Sequence, residues 1–331
     1  MRVRFDVLDT DGNPVGEITP HQGASISFTA ADTIQRTLSG IDLSPDDTAT
    51  VDLYSHRLRP VWIDSQGERP LGVFVWVSRT LHRPGPQLRS GQLHDLAALL
   101  DNEMDRAYSL PDGQLIRTAL EQLHSEVGIA TSIAPTSART SGALAWPMTD
   151  HRAEIIRQLC DLAGLAWHID GSGVAVMRPI PDPDLDPPDH SYDEGEDSTV
   201  LHDSIEESDD LLDRPNVYRV VSTAPTDEAI VGQFALPDRS PGSAASRGFQ
   251  VFRTIEEPGV ESTSEAARIA REHARADAAV VRKVTLETIV NPAHEGHAVV
   301  EFEGQPYLEE GWDIDLTSHR QTHRLRQVVT L

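Results

Sequence analysis

The sequence predicts a β-dominated α+β protein in which two β-barrel-like domains flank a small α+β insert. Three observations carry this. Short runs alternating apolar and polar residues, broken by Gly, Pro and Asp clusters, fill positions 1–98, the pattern of a barrel or sandwich. Over 99–180 the apolar spacing switches twice to that of a helix and then returns to a hairpin. After 214 one helical stretch leads into further short strands. The chain therefore divides into a first β-barrel domain (1–98), an α+β insert (99–180), an acidic, proline-rich connector (181–213) and a second β-barrel domain with one entry helix (214–331). No period of roughly 20 to 50 residues recurs, which excludes a solenoid or propeller.

In the first domain Val3, Phe5 and Val7 alternate with Arg2, Arg4 and Asp6, and "DTDGN" at 9–13 supplies a turn before Val15 resumes an extended run. Further strands fit 24–30, 33–41, 50–56, 59–64 and 72–82. In the insert, Leu115, Ile116, Ala119, Leu120 and Leu123 share one helical face, with Gly128 as the stop. A second helix fits 150–164. There Asp150 is placed to cap the free N–H groups, Ile155, Ile156, Leu159, Cys160 and Ala163 form the buried stripe, and Gly164 takes the left-handed C-terminal position. "LAWHIDGSGVAVMRPI" then reads as a hairpin with an Asp-Gly turn. In the last domain "NVYRVVST" at 216–223 is a strand, "STSE" at 262–265 is a capping box, and strands fit "KVTLETIV", "HAVVEF", "WDIDLTS" and "LRQVVTL".

The formal charge is −25, and 14 carboxylates lie between Asp182 and Asp213 without one Lys or Arg. Such a surface repels phosphate backbones and anionic membrane faces, so stable nucleic-acid binding is excluded. The N-terminus has no apolar leader and no stretch of about 18 apolar residues could span a bilayer. A soluble chain without its own export signal is expected. Cys160 stands alone, which excludes an internal disulfide and multi-cysteine metal sites.

Candidates for chemistry each meet a plainer explanation. Asp182, Asp184 and Asp186 imitate the start of a calcium loop, but the bend position falls on Pro187 and the twelfth on Asp193. Proline and mutual repulsion make this a solvated spacer, mostly irregular in backbone. "DTDGN" fails likewise at Pro14 and reads as a hairpin turn. His294 with His297, and His319 with His323, are each isolated pairs near turns. Each reads as a surface turn, because two histidines leave coordination incomplete. There is no G-x-S-x-G elbow and no phosphate loop, and Cys160 lies on an apolar helix face as a small hydrophobe. Trp62, Trp76, Trp146, Trp167 and Trp312 are the platforms that a wall-polysaccharide hydrolase or carbohydrate-binding module would use, although Trp76 and Trp167 sit in strands that look like core. No catalytic, cofactor-binding or metal-ligating residue is assigned, and a structural role is favoured over an enzymatic one.

The order of elements resembles the tail-hub proteins of tailed bacteriophages, the baseplate-hub and minor-tail-protein family. The likeness is carried by "RPLGVFVWVS" (69–78), "YSLPDGQLIRTALEQLHSEVG" (108–128), "DHRAEIIRQLCDLAGLAWHIDGSGVAVMRP" (150–179), "RPNVYRVVST" (214–223) and the capped helix leading to "KVTLETIV". The resemblance implies a virion protein of the tail tip, assembled in the host cytoplasm, that forms a homotrimer. Its two β regions per subunit would match the ring of a distal tail or tail-tube protein above. A tape-measure protein and a tip or spike protein are the other implied partners. Carboxylates facing the lumen would let DNA slide past without sticking. The rival reading is the polysaccharide hydrolase or binding module of the tail tip.

Overall fold

The computed structural model describes all residues except 21–22, 82–88, 184, 194–198, 202–204, 209–214, 223–229, 241, 258–259, 261, 279–282 and 328–331. Among the described residues β structure dominates, with helices confined to a few segments. None of these helices is long and apolar enough to cross a membrane.

The largest element is a 14-stranded sheet to which both β regions contribute. Its first half pairs Arg2–Leu8 with Pro14–Ile18 and with Arg57–Asp64, then passes through Phe74–Leu81 and Arg89–Asp95 to Arg36–Leu43 and Ser25–Thr29. The second half joins there. Gln305–Asp315 runs antiparallel to Ser25–Thr29, with Trp312 opposite Phe28 and Ile314 opposite Ile26, and continues to Arg320–Gln327 and Lys283–Ile289. The two β regions are thus welded by one strand pair, and among the described residues the pairing path does not close into a ring. Each region keeps its own core. The first buries Val7, Ile26, Phe28, Leu38, Trp62 and Phe74 together with Trp312; the second buries Val284, Leu286, Val300, Phe302, Tyr307 and Leu325. Irregular register between Glu309 and Gly311 bends the welding strand. A Cβ on Gly311 would stand 2.4 Å from the Phe28 carbonyl oxygen, so only glycine allows the approach.

The "DTDGN" turn forms as read: Asp9 Oδ1 accepts from the N–H groups of Asp11 (2.9 Å) and Asn13 (2.8 Å), and Gly12 has φ +86°. The strand expected over 50–56 is replaced by the short helix Pro45–Thr50 and turns. Ser44 accepts from the Asp47 N–H while Asp47 reaches back to Ser44, and this reciprocal cap outweighs the alternation of "TVDLYSH".

The insert holds Ile116–Ser125 and Arg152–Ala163, packed over the hairpin Leu165–Ile169/Ala175–Pro179, with Thr131–Ile133 added in parallel. The expected stripes are buried in one cluster with Trp167 and Met177, except that Ala163 is partly buried and Leu115 is the half-buried N-cap outside the first helix. Gly164 is left-handed at φ +66°, but the N-cap is His151 rather than Asp150 and makes no side-chain cap. Cys160 is buried in this cluster, and burial pushes its thiol up to about 12.

Residues after the connector first build a layer of their own. Val217–Ser222 lies between Val231–Ala235 (antiparallel) and Phe252–Glu257 (parallel). The capped helix Thr263–Ala278 sets Ala266, Ala270 and Ala274 against Tyr218 and Val220. Gly232 permits the small-residue contact, since a Cβ there would lie 2.2 Å from the Ala267 nitrogen. The connector is less of a spacer than its composition implies. His190–Tyr192 pairs with Val299–Phe302, Glu206–Ser208 pairs with Lys283–Ile289, and Val200 bridges Thr288. Val200, Tyr192 and Ile205 pack on the second β core, and this apolar minority anchors the acidic segment. Asp186 Oδ2 accepts from the Asp182 N–H at 2.8 Å; Asp184 lies outside the described residues.

Candidate functional site

The loop 291–298 is where the two β regions and the insert meet. Asn291 starts it, its Oδ1 accepting from the Ala293 N–H (3.1 Å) and its own N–H donating to Gln321 Oε1 (3.0 Å). Gly296 is pressed against Phe28, whose ring a Cβ would meet at 2.4 Å. His297 then adopts a left-handed φ of 58°, a costly conformation for a side-chain-bearing residue that the surrounding contacts must hold.

Outward, the loop grips both neighbours. Glu295 Oε2 pairs with the guanidinium of Arg36, and its Oε1 accepts from the Gly171 N–H at 3.3 Å. Arg36 is 1% exposed. Its Nη1 donates to the Leu71 carbonyl (3.2 Å), its guanidinium lies 5.3 Å from the Trp312 ring centroid, and its backbone N–H donates to Asp95 Oδ2 (2.9 Å). Burial pushes Asp95 up to about 6, against the opposing hydrogen bond and charge of Arg36. On the insert side, Arg178 donates to the carbonyls of Gly296 (3.0 Å) and His297 (2.5 Å), and His297 Nε2 lies 3.3 Å from the Trp167 carbonyl. His168 is held neutral, down to about 2, first by burial and then by the Arg36 charge.

Inward, His294 enters the second β region and meets Glu309 and His323. Nε2 of His294 contacts Glu309 Oε2, and His323 Nδ1 lies 2.8 Å from Glu309 Oε1. All three side chains are fully buried. Burial raises Glu309 to about 7 despite its hydrogen bond to His323, and burial lowers His294 to about 4. His190 stacks on His294 at a centroid distance of 4.3 Å.

Neither histidine pair seen in the sequence acts as a pair, and the reading of both as surface turns is corrected for His294 and His323, which are buried. His297 turns to the insert and His319 packs edge-on to Trp62 at 5.0 Å. The signal was alternation. Tyr307, Glu309 and Gly311 share the inward face of one strand, and Gln321, His323 and Leu325 that of its neighbour.

A cleft of about 550 Å³ lies between insert and sheet, lined by Gln35, Arg157, Cys160, Trp167, His297 and Glu310 among others. Burial holds the Cys160 thiol there protonated, so it is not an activated nucleophile. Of the five tryptophans, Trp62, Trp146, Trp167 and Trp312 are buried and Trp76 is half-buried against the first core, so none stands out as a sugar platform.

No protein-family model and no curated protein matches the chain. Solved structures do. The chain is similar to a tail protein from Neisseria meningitidis MC58, with 11% identity and a TM-score of 0.69 over 99% of this chain and 97% of that one. It is similar to the 43 kDa tail protein of prophage MuSo2 from Shewanella oneidensis, with 10% identity and a TM-score of 0.71 over 98% of each chain. An E. coli component of the type VI secretion system aligns with all of this chain and 75% of its own length, at 8% identity and a TM-score of 0.52. At such identities it is the path of the backbone that is shared, and from end to end this chain has the fold of phage tail proteins.

Proposed function

We propose that the chain is a structural hub of a phage tail or related injection particle, three copies of which form a ring at the distal end that joins the tail tube or distal tail ring to the tip. The single observation that carries this is the end-to-end fold likeness to two phage tail proteins, covering 97% or more of this chain and of both of them. The welded sheet supports it. Two β regions fixed by a shared strand pair give each subunit two presenting surfaces in constant relation, so a threefold ring offers six to a ring above, and modest contacts repeat around the axis. The division 1–98, 99–180, 181–213 and 214–331 belongs to this proposal, as does the location at the tail tip. Its partners are further copies of itself, the distal tail or tube ring, the tape-measure protein and a tip or spike protein. It catalyses no reaction, and the burial of the tryptophans speaks against the polysaccharide-binding alternative.

The test is mass in solution by native mass spectrometry, alone and with the purified ring partner. A trimer, or a monomer that trimerises on the ring, is expected. A chain that remains monomeric in both, or that degrades host wall in a zymogram, overturns the proposal.

A further inference from the structure

We propose that His294, Glu309 and His323 form a binding site for one transition-metal ion of the zinc type, built into the second β region.

The donor set is the first argument. Two imidazole nitrogens and a carboxylate suit Zn²⁺ and its first-row neighbours, and the three groups converge with their ligand atoms all within 4.8 Å of one another. The carboxylate sits astride the site: Oε1 faces His323 Nδ1 at 2.8 Å, and Oε2 faces His294 Nε2. Two imidazoles and one carboxylate supply three protein ligands, and the fourth position of a tetrahedral shell is left to water or to the second carboxylate oxygen. Bond lengths of about 2.0–2.2 Å set the ligand atoms of a tetrahedral ion about 3.3 Å apart, so the rings open from the carboxylate while the widest pair of ligand atoms closes.

The orientation of the rings is the second argument, and it is independent of the first. Ligating histidines ordinarily donate their other N–H to an oxygen, which fixes the tautomer. Thr288 Oγ1 gives its hydrogen to the Ile289 carbonyl (3.0 Å), so at 3.0 Å from His323 Nε2 it stands as acceptor. His323 Nε2 therefore carries hydrogen, and Nδ1 is the atom aimed at Glu309. In His294 the remaining nitrogen, Nδ1, is buried and has no hydrogen-bond partner, so only His323 has its second nitrogen anchored in this way.

The third argument is location. The site ties Gln305–Asp315 to Arg320–Gln327 and to the loop 291–298. That loop carries Glu295, Gly296 and His297 to the first β region and the insert. A bound ion would therefore clamp the joint from within. Each imidazole must offer an unprotonated nitrogen and Glu309 must be ionised, so binding releases the protons held at the site and affinity falls as pH is lowered.

The experiment uses the full chain, dialysed against chelator and then titrated with Co²⁺ as a visible probe. Expected are one equivalent bound per chain, ligand-field bands of a four-coordinate site, bleaching of those bands by one equivalent of Zn²⁺, and a higher melting temperature with metal than with chelator. Glu309→Gln, whose amide can donate to His323 Nδ1, and His323→Gln are both expected to lose the bands. If either variant fails to fold, X-ray absorption at the zinc edge of the wild-type chain decides alone, because two imidazole rings per ion are required. Weak six-coordinate bands point to an adventitious ion on the acidic connector and overturn the site. So do bands that survive in His323→Gln, or an ion without two imidazoles. The outcome is separate from ring formation, which the native mass measures.

Discussion

Replacing Arg36 by methionine removes one buried charge from the joint while leaving the shape of the stem. Its backbone N–H bond to Asp95 survives. The losses are the ion pair with Glu295, the bond to the Leu71 carbonyl and the stacking on Trp312. Breaking a fully buried ion pair costs about 3–5 kcal/mol, because the abandoned partner stays desolvated. Here the Glu295 side chain is 42% exposed and can regain water, which discounts the pair to the range of a charge-assisted hydrogen bond. We therefore expect about 2–3 kcal/mol of destabilisation for Arg36→Met. Glu295→Gln retains an acceptor and should cost about 1 kcal/mol. Combined in a cycle, the two should fall short of additivity by about 1 kcal/mol, since the second change removes a partner already lost. Urea titration at neutral pH, followed by circular dichroism and by tryptophan fluorescence, measures all four proteins. A cost below about 0.5 kcal/mol for Arg36→Met, or strict additivity, would refute the view that this pair holds the two β regions together.

Two further outcomes follow from the same joint and from the insert. Gly296→Ala places a methyl group 2.4 Å from the Phe28 ring, so the loop must retreat, with an expected loss of about 1–3 kcal/mol; a neutral result in the same urea assay would show that the loop is not clamped. His124 is fully buried and burial holds it down to about 4. Its folded value lies below the unfolded one, so its contribution is present above about pH 6.5 and is lost as pH falls toward 4, at up to about 1.4 kcal/mol per pH unit. His124→Leu should flatten the pH dependence of the urea midpoint over that window by about one proton, and an unchanged slope would contradict it.

The local features were legible because their causes are local. The Asp9 and Asp170 turns form through side-chain bonds to the next few N–H groups, and the two insert helices form through stripes at helical spacing. The strand read over 50–56 is absent because the alternation in "TVDLYSH" was weighed without the capped helix Pro45–Thr50 that runs into its first residue. What stayed hidden depends on register between distant strands. Nothing near Trp312 indicates that Phe28 lies opposite, and nothing near Val217 shows that it pairs with Phe252 in a sheet apart from the main one. The buried cluster failed for the same reason. His294 and His323 were each paired with the nearest histidine in the chain, whereas the partner of both is Glu309. The inward alternation of Tyr307, Glu309 and Gly311 could have placed that carboxylate beforehand.

The pairing of Ser25–Thr29 with Gln305–Asp315 has a consequence for biosynthesis. The early strand emerges from the ribosome with Ile26 and Phe28 on an open edge, and its neighbour is the next-to-last of the described strands to be made. At about 5–20 residues per second that edge waits on the order of 15 to 60 seconds. During this interval a second nascent copy presents the same unsatisfied edge, so cross-pairing between chains competes with completion of one. Slow translation, or a truncation before residue 305, should therefore yield aggregates rather than a smaller folded chain.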